Sequence, residues 1–229
     1  MSLSVVIPTL NAAAVLPACI GALARLPGEV VVVDGGSTDG TPEVAARLGA
    51  LVVQAPRGRG RQIAAGVAAA RGEWLLLLHA DTVLAPGWAA AAYPFMSRGA
   101  GKAGYFRFAL DGAEPQARRL ERMVAWRCRR LGLPYGDQGL LLPRQVLESC
   151  GGVQPLPLME DLDLMLRLRR ITSIRSLGVA LQVDGRRWHR HGVLGTAWRN
   201  AALRRAWRRG CSSEQLAERY YGPRADPAG

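Results

Sequence analysis

Apolar residues in this chain come first in short unbroken runs and later at helical spacing. Val30–Val33 is a continuous β-branched run ending in Asp34, the pattern of a strand buried on both faces in a parallel sheet covered by helices. It breaks at Gly35-Gly36-Ser37-Thr38-Asp39-Gly40, after which Thr41 can cap a helix that starts at Pro42 and is ended by Gly49. Upstream, Ser4–Thr9 reads as a strand. Asn11 is placed to cap a helix through Leu16, Ile20 and Leu23, and Pro17 is either tolerated near its start or shortens it. A short strand Leu51–Gln54, a glycine-arginine loop from Pro56 to Arg61 and an alanine-rich helix stopped by Gly72 follow. Trp74–Leu78 is a second fully buried strand, running into His79-Ala80-Asp81. Repeated strand, helix, strand units predict a mostly parallel sheet with right-handed crossovers.

From about Gly99 the rhythm loosens. Tyr105–Leu110 alternates like a strand with one exposed face, and Pro115–Leu131 reads as a basic amphipathic helix. Then come the turn Gly136-Asp137-Gln138-Gly139, the apolar run Leu140–Leu142 and a short helix from Pro143. Met159–Leu164 opens a helix whose first-turn acids suit the macrodipole. Ser173–Val183 supplies one or two strands, and Gly195–Arg209 a last basic helix. We expect one domain over residues 1–221, with a nucleotide-binding half (1–98), an acceptor-side half (99–221) and a flexible tail (222–229).

Composition narrows this picture. At 229 residues the chain can bury a proper core. No apolar run reaches the ~20 residues of a membrane span, and the amino terminus lacks the pattern of a secretory signal. Cys19, Cys128, Cys150 and Cys211 are scattered with no Cys-x-x-Cys pair, which argues against a zinc site or disulfide framework and predicts a reducing, cytoplasmic setting. The net charge is +12 with a pI near 10.8, and Lys102 is the only lysine. A GC-rich coding sequence explains the arginine usage in general. It does not explain the clusters Arg118–Arg130 and Arg186–Arg209, whose candidate partners are anionic substrates, anionic lipid and nucleic acid.

The carboxylates carry the chemistry. Asp34, Asp39, Asp81, Asp137, Glu160, Asp161 and Asp163 fall mostly at predicted strand ends, helix starts or glycine turns. A solvated loop accounts for any one of them. Their joint placement is different, because strand-end acids of one parallel sheet converge on the same edge, where such sheets bind ligands. Asp81, after four leucines, is the best candidate ligand for a hard divalent ion shared with a diphosphate. Histidines beside strand ends are more often packed than ligating, and adjacent acids at a helix start often only cap it.

Taken in order, SVVIPTLN, VVVVDGGSTDGT, GRGRQ, LLLLHAD, GDQG and MEDLDL resemble glycosyltransferase family 2 over roughly residues 3–192. The resemblance is closest to the short, soluble group with His-Ala-Asp in place of Asp-x-Asp, which includes members assigned to arsenosugar biosynthesis. It implies an α/β GT-A fold: a Rossmann-like, mostly parallel central sheet flanked by helices, with a smaller acceptor-shaping C-terminal part. It implies that Pro8, Thr9 and Asn11 line the base and ribose, that Asp34 hydrogen-bonds a uracil beside Gly36, and that Arg61, Gln62 and His79 lie near the sugar-diphosphate. Arg187 and Trp188 match an arginine-tryptophan element that brackets the diphosphate. Asp81, with His189 or His191, would hold Mg2+ or Mn2+. Asp137 and Gln138 would face the acceptor, and Asp161, next to Glu160, would be the general base.

The expected function is therefore an inverting glycosyltransferase moving a sugar from a nucleotide-diphospho-sugar, UDP-linked, to a hydroxyl of a small or lipid-linked acceptor. The base takes the acceptor proton, and positive charge meets the leaving diphosphate. A nucleotidyltransferase acting on a sugar phosphate shares the general fold, but it usually carries a longer glycine-rich basic signature where Pro8-Thr9-Leu10-Asn11 stands. A basic nucleic-acid-binding protein would explain the pI but not aligned carboxylates, which repel phosphate. A dehydrogenase is disfavoured because no G-x-G-x-x-G follows the first strand. No nucleic-acid partner is expected, and peripheral contact with the inner face of a membrane would fall on the helix Gly195–Arg209.

Overall fold

The apolar runs close into one mixed sheet in the computed structural model of the chain, which describes residues 1–23, 28–99, 101–111, 115–183 and 192–221. Its first half is parallel: β1 (Leu3–Thr9), β2 (Gly28–Asp34), β3 (Leu51–Gln54) and β4 (Trp74–Leu77). The second half contains β5 (Thr82–Leu84), β6 (Ala103–Leu110), β7 (Leu140–Pro143) and β8 (Ile174–Val183). The order across the sheet is β3-β2-β1-β4-β7-β6-β8-β5. β7 runs antiparallel to β4 and to β6, and β5 antiparallel to β8, so the second half departs from the parallel pattern.

Helices α1 (Leu16–Gly21), α2 (Thr41–Arg47), α3 (Arg59–Ala69) and α4 (Trp88–Arg98) connect the front strands. The rear half adds α5 (Pro115–Leu131), α6 (Arg144–Ser149), α7 (Glu160–Ile171), α8 (Val193–Arg208) and α9 (Ser213–Tyr221). Val31, Val32 and Val33 are fully buried, as a strand covered on both sides requires. The alanine-rich α3 packs backbone-close on the sheet. A Cβ at Gly66 would lie 2.4 Å from Val6 Cγ1 and 2.7 Å from Val33 Cγ2.

Several local expectations change in three dimensions. Asn11 caps no helix. It adopts φ 51°, and its Oδ1 instead accepts from Thr38 N at 2.9 Å, while α1 is short, Leu16–Gly21, with Pro17 in its first turn. Thr41 lies inside α2, and its hydroxyl accepts from Ala12 N at 2.8 Å, tying the turn after β1 to the turn after β2. β6 has no wet face. Phe106 packs with Trp88 and Met96 of α4, while Tyr105, Phe108 and Leu110 pack under Leu120 and Val124 of α5. The basic helix from Gly195 is followed by α9, and β5 and α4 lack the periodicity that would have marked them. α4 holds Pro94 in its interior, which obscures its helical pattern.

Candidate active site

The end of β2 is organised around Asp34. Its Oδ2 accepts from Gly36 N and Ser37 N, both at 2.9 Å, and its Oδ1 from the Ser37 hydroxyl. With 1% exposure it is a turn-forming carboxylate, and both its oxygens are engaged by its own chain. Gln62 is equally committed: its Nε2 donates to Thr9 O at 2.7 Å and Val33 O at 2.9 Å. It thereby clamps the carboxyl ends of β1 and β2 to α3. Around this clamp lies a first cavity, lined by Pro8, Thr9, Asn11, Arg59, Gln62, His79 and Asp81 among others. Asp34 lies behind that lining.

A second cavity opens on the other side of Asp81. Its lining includes Arg59, His79, Asp81, Tyr135, Asp137, Asp161, Thr196, Asn200 and Arg204. Arg59, His79 and Asp81 line both cavities, so the two meet at the strand end of β4. Asp161, in the first turn of α7, accepts from Gly136 N at 3.0 Å and from Leu162 N at 2.7 Å. Gly136 admits nothing larger easily, since a Cβ there would sit 2.6 Å from His79 Nε2. Met159, immediately before α7, holds φ 69°, a strained conformation for a side chain of that size. That backbone turn delivers Glu160 and Asp161 to the cleft.

The two adjacent acids diverge. Glu160 is 1% exposed and paired with Arg59, Nε to Oε1 2.8 Å. Burial lifts its carboxyl to about 7, with Asp161 adding to the rise and Arg59 opposing it. For Asp161, burial raises the value, but Arg59, the Gly136 N–H and His79 outweigh it and hold the carboxyl below the usual range. Asp161 is thus kept ionised, beside a neighbour that is readily protonated. Burial also lifts Asp137 to about 6, opposed by Arg127 and assisted by Asp161 and Asp81.

A carboxyl whose folded pKa is raised contributes stability that is complete below its unfolded value and lost as pH rises through its folded value. For Glu160 that window runs from about 4.5 to about 7. The Glu160→Gln variant is therefore expected to show a flatter decline of thermal stability than the wild type between those pH values. Parallel calorimetric scans across that range check it, and identical slopes would remove Glu160 as the titrating group.

The remaining sequence candidates divide clearly. Arg61 is exposed and lines neither cavity, whereas Arg59, half a turn earlier on α3, lines both. Gln138 is buried behind the cavity wall. Its Oε1 accepts from Arg127 Nη2 at 2.9 Å and its Nε2 donates to Phe106 O at 3.3 Å, so it holds the turn that carries Asp137. Gly36 sits in the Asp34 turn with φ 91°. Arg187, Trp188, His189 and His191 lie outside the described residues. Arg59, Thr196, Asn200 and Arg204 were not singled out from the sequence. The last three form an i, i+4, i+8 stripe on α8, and that spacing is the one signal that could have found them.

A divalent cation fits the chemistry of this site. Asp137 Oδ1 is buried and has no hydrogen-bond partner among the described residues, and it faces the same cavity as Asp81. No three His, Cys, Asp or Glu side chains are grouped to cage a metal among the described residues. Magnesium-type sites commonly use one or two carboxylates and complete the shell with substrate phosphates.

The fold is of the GT-A type. The sheet superposes on S. aureus TarS 1-349 in complex with UDP-GlcNAc with a TM-score of 0.65 at 19% identity, over 81% of this chain and 59% of that one. It also superposes on glucosyl-3-phosphoglycerate synthase from Mycobacterium tuberculosis, in complex with Mn2+, UDP and phosphoglyceric acid. There the TM-score is 0.54 at 23% identity, covering 78% and 69% of the two chains. At these identities the likeness is one of fold. The chain belongs to glycosyl transferase family 2, whose family model matches residues 4–153. A PGL/p-HBAD biosynthesis glycosyltransferase of Mycobacterium bovis is 46% identical over 91 residues, and the match spans 35% of this chain and only 36% of that relative.

Proposed function

We propose that this protein transfers a sugar from a UDP-sugar to an acceptor hydroxyl with inversion at the anomeric carbon. The observation that carries this reading is the junction of the two cavities at Arg59, His79 and Asp81, with the ionised Asp161 on the far side. The first cavity takes the uridine against Pro8, Thr9 and Asn11. The second admits the acceptor against Asp137 and the α8 stripe. The UDP-bound and UDP-GlcNAc-bound complexes of TarS support the donor class, and the Mn2+ complex of glucosyl-3-phosphoglycerate synthase supports a divalent ion.

Asp161 accepts the proton of the acceptor hydroxyl as its oxygen attacks the anomeric carbon. The bond from that carbon to the β-phosphate oxygen breaks on the opposite face, and UDP departs with the electron pair. A single displacement of this kind inverts configuration. Arg59, paired with Glu160, supplies positive charge beside the departing diphosphate. Asp81, with Asp137 on the same cavity lining, would hold a divalent ion, whose chemistry would be to neutralise diphosphate charge. By the family resemblance, Arg187, Trp188 and His189 are further candidates for contact with the diphosphate. A cytoplasmic location belongs to this reading, and no helix among the described residues is long and apolar enough to cross a bilayer.

UDP with Mn2+ is expected to stabilise the protein by about 2.7 kcal/mol at a hundredfold excess over Kd. In Asp81→Asn the shift with UDP alone should persist, while the extra increment from Mn2+ should vanish. Thermal shift with UDP, ADP and GDP, each with and without Mn2+, checks both points. An equal response to all three nucleotides would reject the uridine assignment.

A further inference from the structure

We propose that the outward face of α5 docks on an anionic membrane surface. This goes beyond the catalytic reading and does not depend on it. α5 turns Ala117, Leu120, Val124 and Cys128 inward to cover β6, and these four positions define one side of the helix. On the opposite side, at 100° per residue, stand Arg119, Arg122, Trp126, Arg129 and Arg130, with Met123 at the margin. All six are exposed, Trp126 by 56% and Met123 by 57%. The single acid of the helix, Glu121, points away from this face and is bound to Arg118 and to Leu110 N.

A biased codon composition would scatter arginines, but it gives no reason to leave a tryptophan and a methionine one turn apart in water among them. An interfacial helix combines these features: apolar side chains that enter the headgroup boundary, and guanidinium groups that meet anionic lipid. The face is convex and carries a thioether beside the indole, which suits lipid better than the grooves with which proteins bind single-stranded nucleic acid. The basic helix expected from sequence to meet a membrane, α8, is the other candidate face. α8 presents Arg204 to the acceptor cavity and Arg199 to the Arg219 and Tyr220 carbonyls, and it exposes Trp198 by 77% with Arg205, Arg208 and Arg209. α5 differs from it in carrying two large apolar side chains, Met123 and Trp126, on its arginine face. Its inner side holds the turn with Asp137 through Arg127 and Gln138, so docking here would set the acceptor cavity about one helix diameter, ~10 Å, from the lipid.

Flotation of the full chain with phosphatidylcholine vesicles, with and without phosphatidylglycerol, tests the proposal. Binding is expected to the anionic vesicles only and to weaken in high salt. The Met123→Ser/Trp126→Ser variant should bind at least tenfold less, and each of Arg119→Gln, Arg122→Gln, Arg129→Gln and Arg130→Gln should cost about fivefold. An unchanged Tm and circular dichroism spectrum in these variants show that the fold is intact. Binding by the wild type that survives the Met123/Trp126 change would reduce the effect to the overall positive charge and overturn the assignment. So would failure to bind anionic vesicles, including the case where an RNA oligomer binds and Trp126→Ser releases it.

Discussion

Replacing Asp161 by Asn is expected to lower kcat roughly 10^2–10^4-fold while UDP affinity, read by calorimetry, stays unchanged. The expectation follows from where Asp161 sits. It lines the acceptor cavity and not the first one, so its loss removes a proton acceptor without touching the groups assigned to uridine. The Gly136 N–H and the Leu162 N–H fix the carboxylate in place. Arg59, Gly136 and His79 keep it charged against the opposing effect of burial, so the base form is present across the neutral range. An asparagine oxygen can still accept one of those two bonds, which makes structural collapse a poor explanation for inactivity. Turnover by the variant at the wild-type rate would remove Asp161 as base. In that event Asp137, across the same cavity, becomes the group to test, and its raised pKa would then appear as a fall in activity below about 6.

Gly60→Ala should be strongly destabilising for a single added methyl. A Cβ at Gly60 would meet Gln154 O at 2.4 Å, Leu156 O at 2.6 Å and Leu156 N at 2.7 Å, all of them backbone atoms. Backbone cannot rotate aside as a side chain does, so the first turn of α3 must lift away from the 154–156 segment. We expect a loss of about 3 kcal/mol, and for a chain of this size a fall in Tm of roughly 6–12 °C. Function should suffer beyond stability, because that same turn carries Arg59 and that segment leads into Met159, Glu160 and Asp161. Gly21→Ala, with nothing within 4 Å of its Cβ, is the matched control and should cost little or nothing. Equal Tm values for the two variants would show that α3 and the 154–156 segment are not in fixed contact.

Much of the site was legible because strand ends and acids are both written locally. The placement of Asp81 after β4, of Asp161 at the start of α7 and of Asp137 in a glycine turn could be read directly, and one cavity collects all three. Asp34 was placed correctly at the end of β2, yet its use is different: its oxygens are spent on Gly36 and Ser37, behind the lining of the first cavity. Gln62 and Gln138 show the same division, since a polar residue inside a motif looks alike whether it holds a ligand or holds the motif together. Only the partners distinguish the two.

The chain's own pattern determined the buried parallel strands, the crossover helices and the class of chemistry at the strand ends, because burial periodicity and turn residues act over a few positions. Tertiary structure decided which cations face the acids. Arg59 reaches the cleft and Arg61 does not, since half a turn of α3 swings a side chain to another face. Arg204 arrives from α8, which is distant in sequence and adjacent only after the sheet has closed. Folding likewise made adjacent Glu160 and Asp161 unlike, because one is sealed against Arg59 and the other is held by the Gly136 amide. Such inequality comes from burial and neighbouring charge, which the order of residues alone does not specify.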